Sequence, residues 1–361
     1  MSEIVLKRYH PGEFLADSLE AMRMSAKEFS LRTGISERTL SDLLNKKGNI
    51  TFDIAYKLSQ FFNNEINFWT NLQNSYDEYL FLEATKTETK EDYKLLKSKI
   101  NYLKELNIIN DEDDELSIVS KTRNALGVNR ISSLNGFNAL YQGSFKLEQN
   151  EEKDHSFERN FFVSLALMEA RKKYILEFDK AKLESLIPLF KSYTTKDPEY
   201  FYPRLIDKLA ECGVAFVALP YLNKSDVYGV TKWLTSDKVM LAISDRLKRA
   251  DMFWFIFFHE LEHVLFEHKR KVLFQTKEEY ITNIEEEHLA NELAGEILIP
   301  KKDWNEFIND GNINSYSIKK FAKKCGVAPF IVLGRLYKEN IIPQGTYFNE
   351  LMVKYHIVYK L

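Results

Sequence analysis

Residues 257–268 read FFHELEHVLFEH, and the fold of the second half of the chain turns on them. Histidines and glutamates sit here among Phe, Leu and Val, directly after the apolar run MFWFIFF at 252–258. That context predicts a helix packed in a core, where a charge without a partner is costly. His259 and His263 are four residues apart, so on a helix both rings leave one face on successive turns. Their nitrogens can then reach a single zinc ion about 2 Å from each. Glu260 follows the first histidine, where its carboxylate can take a proton from water at the metal rather than bind it. The H-E-x-x-H pattern thus supplies two ligands and a general base within one helical segment. The bland alternative, an exposed helix end with ordinary charges, is opposed by Val264, Leu265 and Phe266, which continue the apolar character.

Catalytic zinc takes three protein ligands and a water. The stretch EEEHLANELAGEILIP (285–300) offers Glu285, Glu286, Glu287, His288 and Glu292, and the residues alone do not choose among them. An acidic run at a helix N-terminus is also favoured by the helix dipole, which is the plainer account of Glu285 and Glu286.

Upstream, the period changes at Gly213. VAFVALP, VYGVTKWL and VMLAIS read as three strands separated by turn residues. The motif helix then begins near Arg249, and a second helix spans about 281–298 and stops at Pro300. Further on, SIKKFAKKCGVAPFIVLGRLYK (317–338) lies over SAKEFSLRTGISERTLSDLLNK (25–46) without a gap. A second helix-turn-helix-like unit is therefore expected near the C-terminal end, although two helices joined at a glycine can match by chance.

The earlier copy belongs to a compact set of short helices over residues 10–80. Ser25 with Glu28 three residues on forms a capping-box pattern, Gly34 ends that helix, and Ser36 is placed to cap the next. In a helix-turn-helix the second helix enters the major groove with its first residues toward base edges. Arg38 can then take a guanine edge, while Ser36, Thr39 and Asn45 suit bases or phosphates. Lys46 and Lys47 suit phosphates. Against this stands a plain packing hairpin, because residues 1–50 hold nearly as many acids as bases and Glu37 and Asp42 lie in the reading helix.

Residues 82–116 are denser in charge and read as a polar linker followed by a short helical unit; 148–156 reads as a solvated loop, with helices over 156–175, 180–192 and 201–211. The chain of 361 residues is 45% hydrophobic and 29% charged, which suits two or three globular domains. A formal charge of −3 gives no global signal for nucleic acid, so any such surface must be local. Cys212 and Cys325 form no metal-type pair, and no signal or membrane-length apolar run is seen. A cytoplasmic protein without membrane contact is expected.

FFHELEHVLF followed by EHLANELAGEILIP resembles the ImmA/IrrE family of metallopeptidase domains, together with the three-strand lead-in, over about 205–300. The resemblance implies that Glu287, three residues before the pair Ala290-Asn291, is the third zinc ligand, with His288 as runner-up. It also implies metal-assisted amide hydrolysis with Glu260 as base; Tyr228 is a weak candidate for stabilising the oxyanion. One position departs from the pattern: the family's H-E-L-G-H is here H-E-L-E-H. Glu262 is expected to crowd the cleft or raise the pKa of Glu260 by like-charge repulsion, which weighs against proteolysis more than against metal binding.

Residues 1–80 are similar to the HigA type of antitoxin, of the phage-repressor (XRE) helix-turn-helix class. The similarity rests on HPGE at 10–13, GNIT at 48–51 and FWTNLQ at 68–73. It implies a homodimer that represses its own operator and neutralises a toxin, its two reading helices one turn of DNA apart.

The expected fold class is α+β, mainly α. A five-helix helix-turn-helix domain occupies 1–80 and a linker and helical region 81–204. A zincin-like domain with a small three-stranded sheet and the H-E-x-x-H helix occupies 205–300, and a helix-turn-helix-like unit 301–361. Two functions fit. One is a DNA-binding transcription regulator whose zinc domain cuts a partner protein, a repressor or a toxin; the other is an antitoxin-like autorepressor whose zinc domain senses or binds without cutting.

Overall fold

The computed structural model describes residues 9–139, 144–145, 155–246, 248–266, 277–345 and 347–357. The chain forms two compact units, 1–91 and 92–361.

The first unit is built from five helices: α1 (Pro11–Ala21), α2 (Ala26–Thr33), α3 (Glu37–Leu44), α4 (Phe52–Phe62) and the start of α5 (Ile66–Leu96). Capping sets each boundary. The His10 ring accepts from the Gly12 amide, Ser25 from Glu28, Ser36 from Thr39 and Thr51 from Ile54, so each of the first turns of α1 to α4 has an orphan donor met. The Ser25 box is half formed, since the Glu28 carboxylate turns to Arg32 instead of reaching back. Between α2 and α3 the backbone passes through a left-handed residue, Gly34 (φ 68°), which a side chain would strain. Leu15, Phe29, Leu40, Leu43, Leu58 and Trp69 fill the core.

No linker begins at 81. Helix α5 runs unbroken from Ile66 to Leu96, and residues 77–91 carry charges around the whole circumference, with no apolar stripe to betray a helix. Within the second unit, Asp92, fully buried, accepts from Arg123 at 2.8 Å and from the Ile131 amide at 2.9 Å.

In that unit follow α6 (Ile100–Glu105), α7 (Glu115–Leu126), the two-residue strand β1 (Ser144–Phe145), α8 (Ser156–Lys172), α9 (Lys180–Tyr193) and α10 (Pro198–Ala210). The three expected strands are present as β2 (Val214–Leu219), β3 (Gly229–Trp233) and β4 (Val239–Ser244). The order is β1-β3-β4-β2, with β2 and β4 parallel and β3 antiparallel to its neighbours; β1 adds a fourth, short edge strand opposite Val230 and Thr231.

β2 and β4 are buried at every position, which is what a sheet covered on both faces requires. Alternate residues serve two cores. Ala215, Val217, Met240 and Ala242 face α6, α7 and α8, whereas Phe216, Ala218, Leu241 and Ile243 face α9, α10 and α11 (Ala250–Leu265). The stretch 92–204 is therefore no separate region: it supplies one covering layer and part of the other. The expected loop at 148–156 lies outside the described residues except for its last two positions.

After α12 (Lys277–Leu298) come α13 (Lys301–Asn309), α14 (Ser315–Cys325) and α15 (Pro329–Lys338). The repeat at 317–338 does form a helix, a left-handed glycine (Gly326, φ 71°) and a second helix. Its second helix is buried, however: Phe330, Ile331, Val332, Leu333 and Leu336 join the core around α11. The boundary expected at 300 does not separate two cores, and α15 cannot serve as a reading helix. Residues 352–357 close the domain. Tyr355 stacks among Phe201, Phe253 and Phe330, while Ala250 and Tyr355 amides bond to the carbonyls of Val353 and Lys248. Among the described residues no helix is long and apolar enough to cross a membrane.

Candidate functional site

α11 is apolar nearly all round and buried along its length, packed under β3 and β4 and against α12. Ala290 and Ala294, both fully buried, line the α12 side and let the two helices approach closely. The His259 and His263 rings, 0% and 1% exposed, stand edge to face with centroids 4.8 Å apart. Their Nε2 atoms are 3.1 Å from each other. Glu287, from α12, brings its two oxygens to 3.2 Å from His259 Nε2 and 3.0 Å from His263 Nε2.

These three side chains are the one group of potential metal ligands found among the described residues, their ligand atoms all within 4.8 Å of one another. Two ligands each about 2.0–2.1 Å from a tetrahedral zinc lie roughly 3.3 Å apart, so the donor set fits such an ion in type and spacing. His288, Glu285 and Glu292 are exposed and take no part.

Electrostatics bind the trio. Burial by itself would raise the Glu287 carboxyl, but hydrogen bonds from His259 and His263 hold it down at about 2. Burial likewise disfavours a charged His263, yet Glu287 and Glu260 together raise its pKa above the usual histidine value.

Glu260 is fully buried one residue from the first histidine, and the Thr231 hydroxyl donates to its Oε2 at 2.8 Å. Gly229, two residues earlier on the same strand face, leaves the space that the Glu260 side chain fills: a Cβ there would lie 2.6 Å from Oε1. Neither Gly229 nor Thr231 was singled out in the sequence. The available signal was a glycine opening the strand GVTKW, with a hydroxyl two residues on.

Glu262 does not crowd Glu260. Two residues further on, it points about 200° round the helix, where Glu184 and Lys180 of α9 are its charged neighbours besides His263. Burial pushes its carboxyl up. Tyr228 lies before Gly229 with the Arg246 guanidinium over its ring at 4.8 Å.

In the first unit, Glu37 and Arg38 are exposed at the start of α3, and Arg38 makes no ion pair among the described residues. Lys47 is exposed as well. The Ser36 hydroxyl is engaged in capping and lies 2.8 Å from that of Thr39; Asn45 donates to the Ser41 carbonyl, and Lys46 pairs with Glu13. Of the six residues expected to meet DNA, Arg38 and Lys47 are thus presented outright, while the other four already have local partners.

Comparison with known proteins matches a helix-turn-helix family to residues 15–69 and the IrrE N-terminal-like domain to residues 213–337, the latter reaching well past 300 through α15. An uncharacterized HTH-type transcriptional regulator of Escherichia coli (strain K12), YddM, is 35% identical over 77 residues, 21% of this chain and 79% of YddM. Virulence-associated protein I of Dichelobacter nodosus is 30% identical over 69 residues, 19% of this chain and 64% of that relative. Among solved structures, a HigA-family addiction module antidote protein from Coxiella burnetii is 32% identical, with 24% of this chain and 96% of that one covered at a TM-score of 0.23. The Pseudomonas aeruginosa antitoxin HigA with higBA promoter is 26% identical, with 24% and 95% covered, also at 0.23.

Proposed function

The chain belongs to the helix-turn-helix family through its N-terminal unit and joins to it an IrrE N-terminal-like domain; from this we propose a DNA-binding transcription regulator, antitoxin-like in its first unit, whose second unit is a zinc metallopeptidase acting on a partner protein. The observation that carries the peptidase half is the meeting of His259, His263 and Glu287 from two helices, with Glu260 buried beside them.

His259, His263 and Glu287 would hold the ion. A bound zinc supplies Lewis acidity toward the scissile carbonyl and lowers the pKa of the attacking water. Glu260 takes the proton of that water and passes it to the departing amine. The Thr231 hydroxyl donates to Glu260 Oε2 and so fixes the orientation of the carboxylate beside His259. His259, Glu260 and His263 are buried, which strengthens each of these interactions.

For the first unit, the reading is a homodimer that lays two copies of α3 in successive major grooves of an operator. Arg38 reads a base edge and Lys47 neutralises a phosphate. A regulator acting on operator DNA in this way works in the cytoplasm.

The deciding experiment compares wild type, Glu260→Gln and His263→Ala for zinc content and for cleavage of co-expressed proteins. Glu260→Gln retains zinc and stops cleavage; His263→Ala loses both. Unchanged cleavage in Glu260→Gln sinks the peptidase reading and leaves a zinc-bound sensing module.

A further inference from the structure

Neither the metal site nor α3 accounts for the basic face of α14, and we propose that this face binds the phosphate backbone of double-stranded DNA, a sequence-independent contact additional to the reading by α3. The commitment to DNA rests on the DNA-binding half of the reading above.

Residues 311–338 hold six basic residues and no acidic one, in a chain whose net charge is −3. Three of the six are engaged. Lys324 pairs with Asp303 at 2.7 Å and Glu306 at 3.3 Å, Arg335 pairs with Glu339, and Lys338 lies over the Phe255 ring. Lys319, Lys320 and Lys323 are exposed and make no ion pair among the described residues. Glu350 is a charged neighbour of Lys319, but its carboxylate accepts from the Ser315 hydroxyl.

Helix geometry turns these three outward. Ile318, Phe321 and Ala322 are the buried residues of α14, and Phe321 stacks on Phe307 of α13 at 4.3 Å. Lys319 and Lys323 stand two residues either side of Phe321, so both project from the opposite side of the helix. Tyr316, 76% exposed, precedes them by three and seven residues on that same face, with Lys320 beside it. From Lys319 to Lys323 is about 6 Å along the axis, and one DNA strand carries a phosphate about every 3.4 Å of its own. Each ammonium, on a flexible stem, can therefore meet a phosphate of its own.

α2 shows that a hairpin of this shape does not need the lysines. In the ungapped overlay Lys320 and Lys324 stand where α2 has Glu28 and Arg32, which pair at 2.9 Å. Lys319 and Lys323 stand where it has Lys27 and Leu31. Where α2 closes a favourable pair one turn apart, α14 sets like charges one turn apart twice, and carboxylates offset only Lys324. An anion lying across the face relieves that repulsion. The helix dipole accounts for Lys323 and Lys324 in the last turn, but not for Lys319 and Lys320. In a helix-turn-helix the first helix crosses the DNA backbone and the second reads bases. α14 is the first helix of its hairpin, and the buried α15 has nothing to read with, which leaves a backbone contact without sequence preference.

A labelled duplex of about 40 base pairs and mixed sequence is titrated with the full-length protein from about 50 to 200 mM NaCl. Lys319→Gln, Lys320→Gln and Lys323→Gln together are expected to lower the slope of log K against log salt by about two to three, and affinity by about ten-fold or more, at an unchanged unfolding midpoint. Arg at the same three positions should keep both, and Lys301→Gln with Lys302→Gln, exposed on α13, should leave both unchanged. An unaltered slope in the triple Gln variant, an equal fall per charge in the α13 variant, or competition by poly-glutamate as strong as by unlabelled duplex overturns the proposal. The series is repeated with Arg38→Ala and Lys47→Ala. If those two substitutions change nothing while the lysine dependence remains, the first-unit reading fails and the α14 contact stands; if they alone weaken binding, the reverse holds.

Discussion

Gly334→Ala tests whether the C-terminal hairpin belongs to the core around α11. In a helix interior freed of tertiary contact, Gly→Ala stabilises by about 1 kcal/mol, because alanine loses less backbone entropy. Gly334 is in the middle of α15, yet a Cβ there would overlap a carboxylate oxygen of Asp251 and come within 2.8 Å of its Cβ and Cγ. Asp251 is 6% exposed and fixed to Arg249 by two hydrogen bonds, so the carboxylate has nowhere easy to go. Overpacking alone costs roughly 1–3 kcal/mol, and loosening a buried ion pair adds up to about 3–5 kcal/mol. The expected outcome is a net loss of about 2–5 kcal/mol, opposite in sign to the propensity effect.

The control is Gly295→Ala in α12, where a Cβ meets nothing within 4 Å; it should be neutral or stabilise by up to about 1 kcal/mol. Urea unfolding of the full chain, followed by the fluorescence of the buried Trp254 and Trp304, gives both numbers. If Gly334→Ala matches Gly295→Ala, α15 does not pack on α11 and the core described above as shared by α11 and α15 is wrong.

Three further outcomes are expected. Glu287→Ala should weaken zinc binding in equilibrium dialysis by at least ten-fold, whereas His288→Ala, next to it but exposed, should leave it unchanged. The Tyr202 hydroxyl is pushed up to about 12 by burial, so its contribution to stability is complete below pH 10 and is lost as pH climbs toward 12; Tyr202→Phe should recover about 2–3 kcal/mol of that alkaline loss. In operator binding measured against salt, Lys47→Ala should lower the slope of log K by about one at every sequence, while Arg38→Ala should relax the preference at one base pair.

How much of this was legible in the sequence varied with the range of the interaction. His259, Glu260 and His263 could be placed because their spacing is local and their apolar setting left charged groups needing partners. Glu287 could not be picked from EEEHLANEL by spacing, since which residue of an acidic run meets α11 depends on how two helices cross. The family resemblance pointed to it, and it is Glu287 whose carboxylate lies beside the two histidines. Thr231 and Gly229 act on Glu260 across nearly thirty residues, a distance no local pattern spans.

The continuous α5 escaped because a solvent-bare helix carries no stripe. The repeated hairpin was right in geometry and misleading in role, and here the chain did hold the answer. Phe330 and Ile331 occupy the places of Arg38 and Thr39, and a reading helix with apolar residues at its exposed positions is a core helix.

The strap at 352–357 has a bearing on the order in which the protein matures. All the core of the first unit, from Leu15 to Trp69, leaves the ribosome early. The aromatic nest around Trp254 stays open until Tyr355 emerges, which at about 5–20 residues per second takes roughly fifteen seconds to a minute longer. A newborn chain thus passes through an interval with a finished helix-turn-helix and an unfinished second unit.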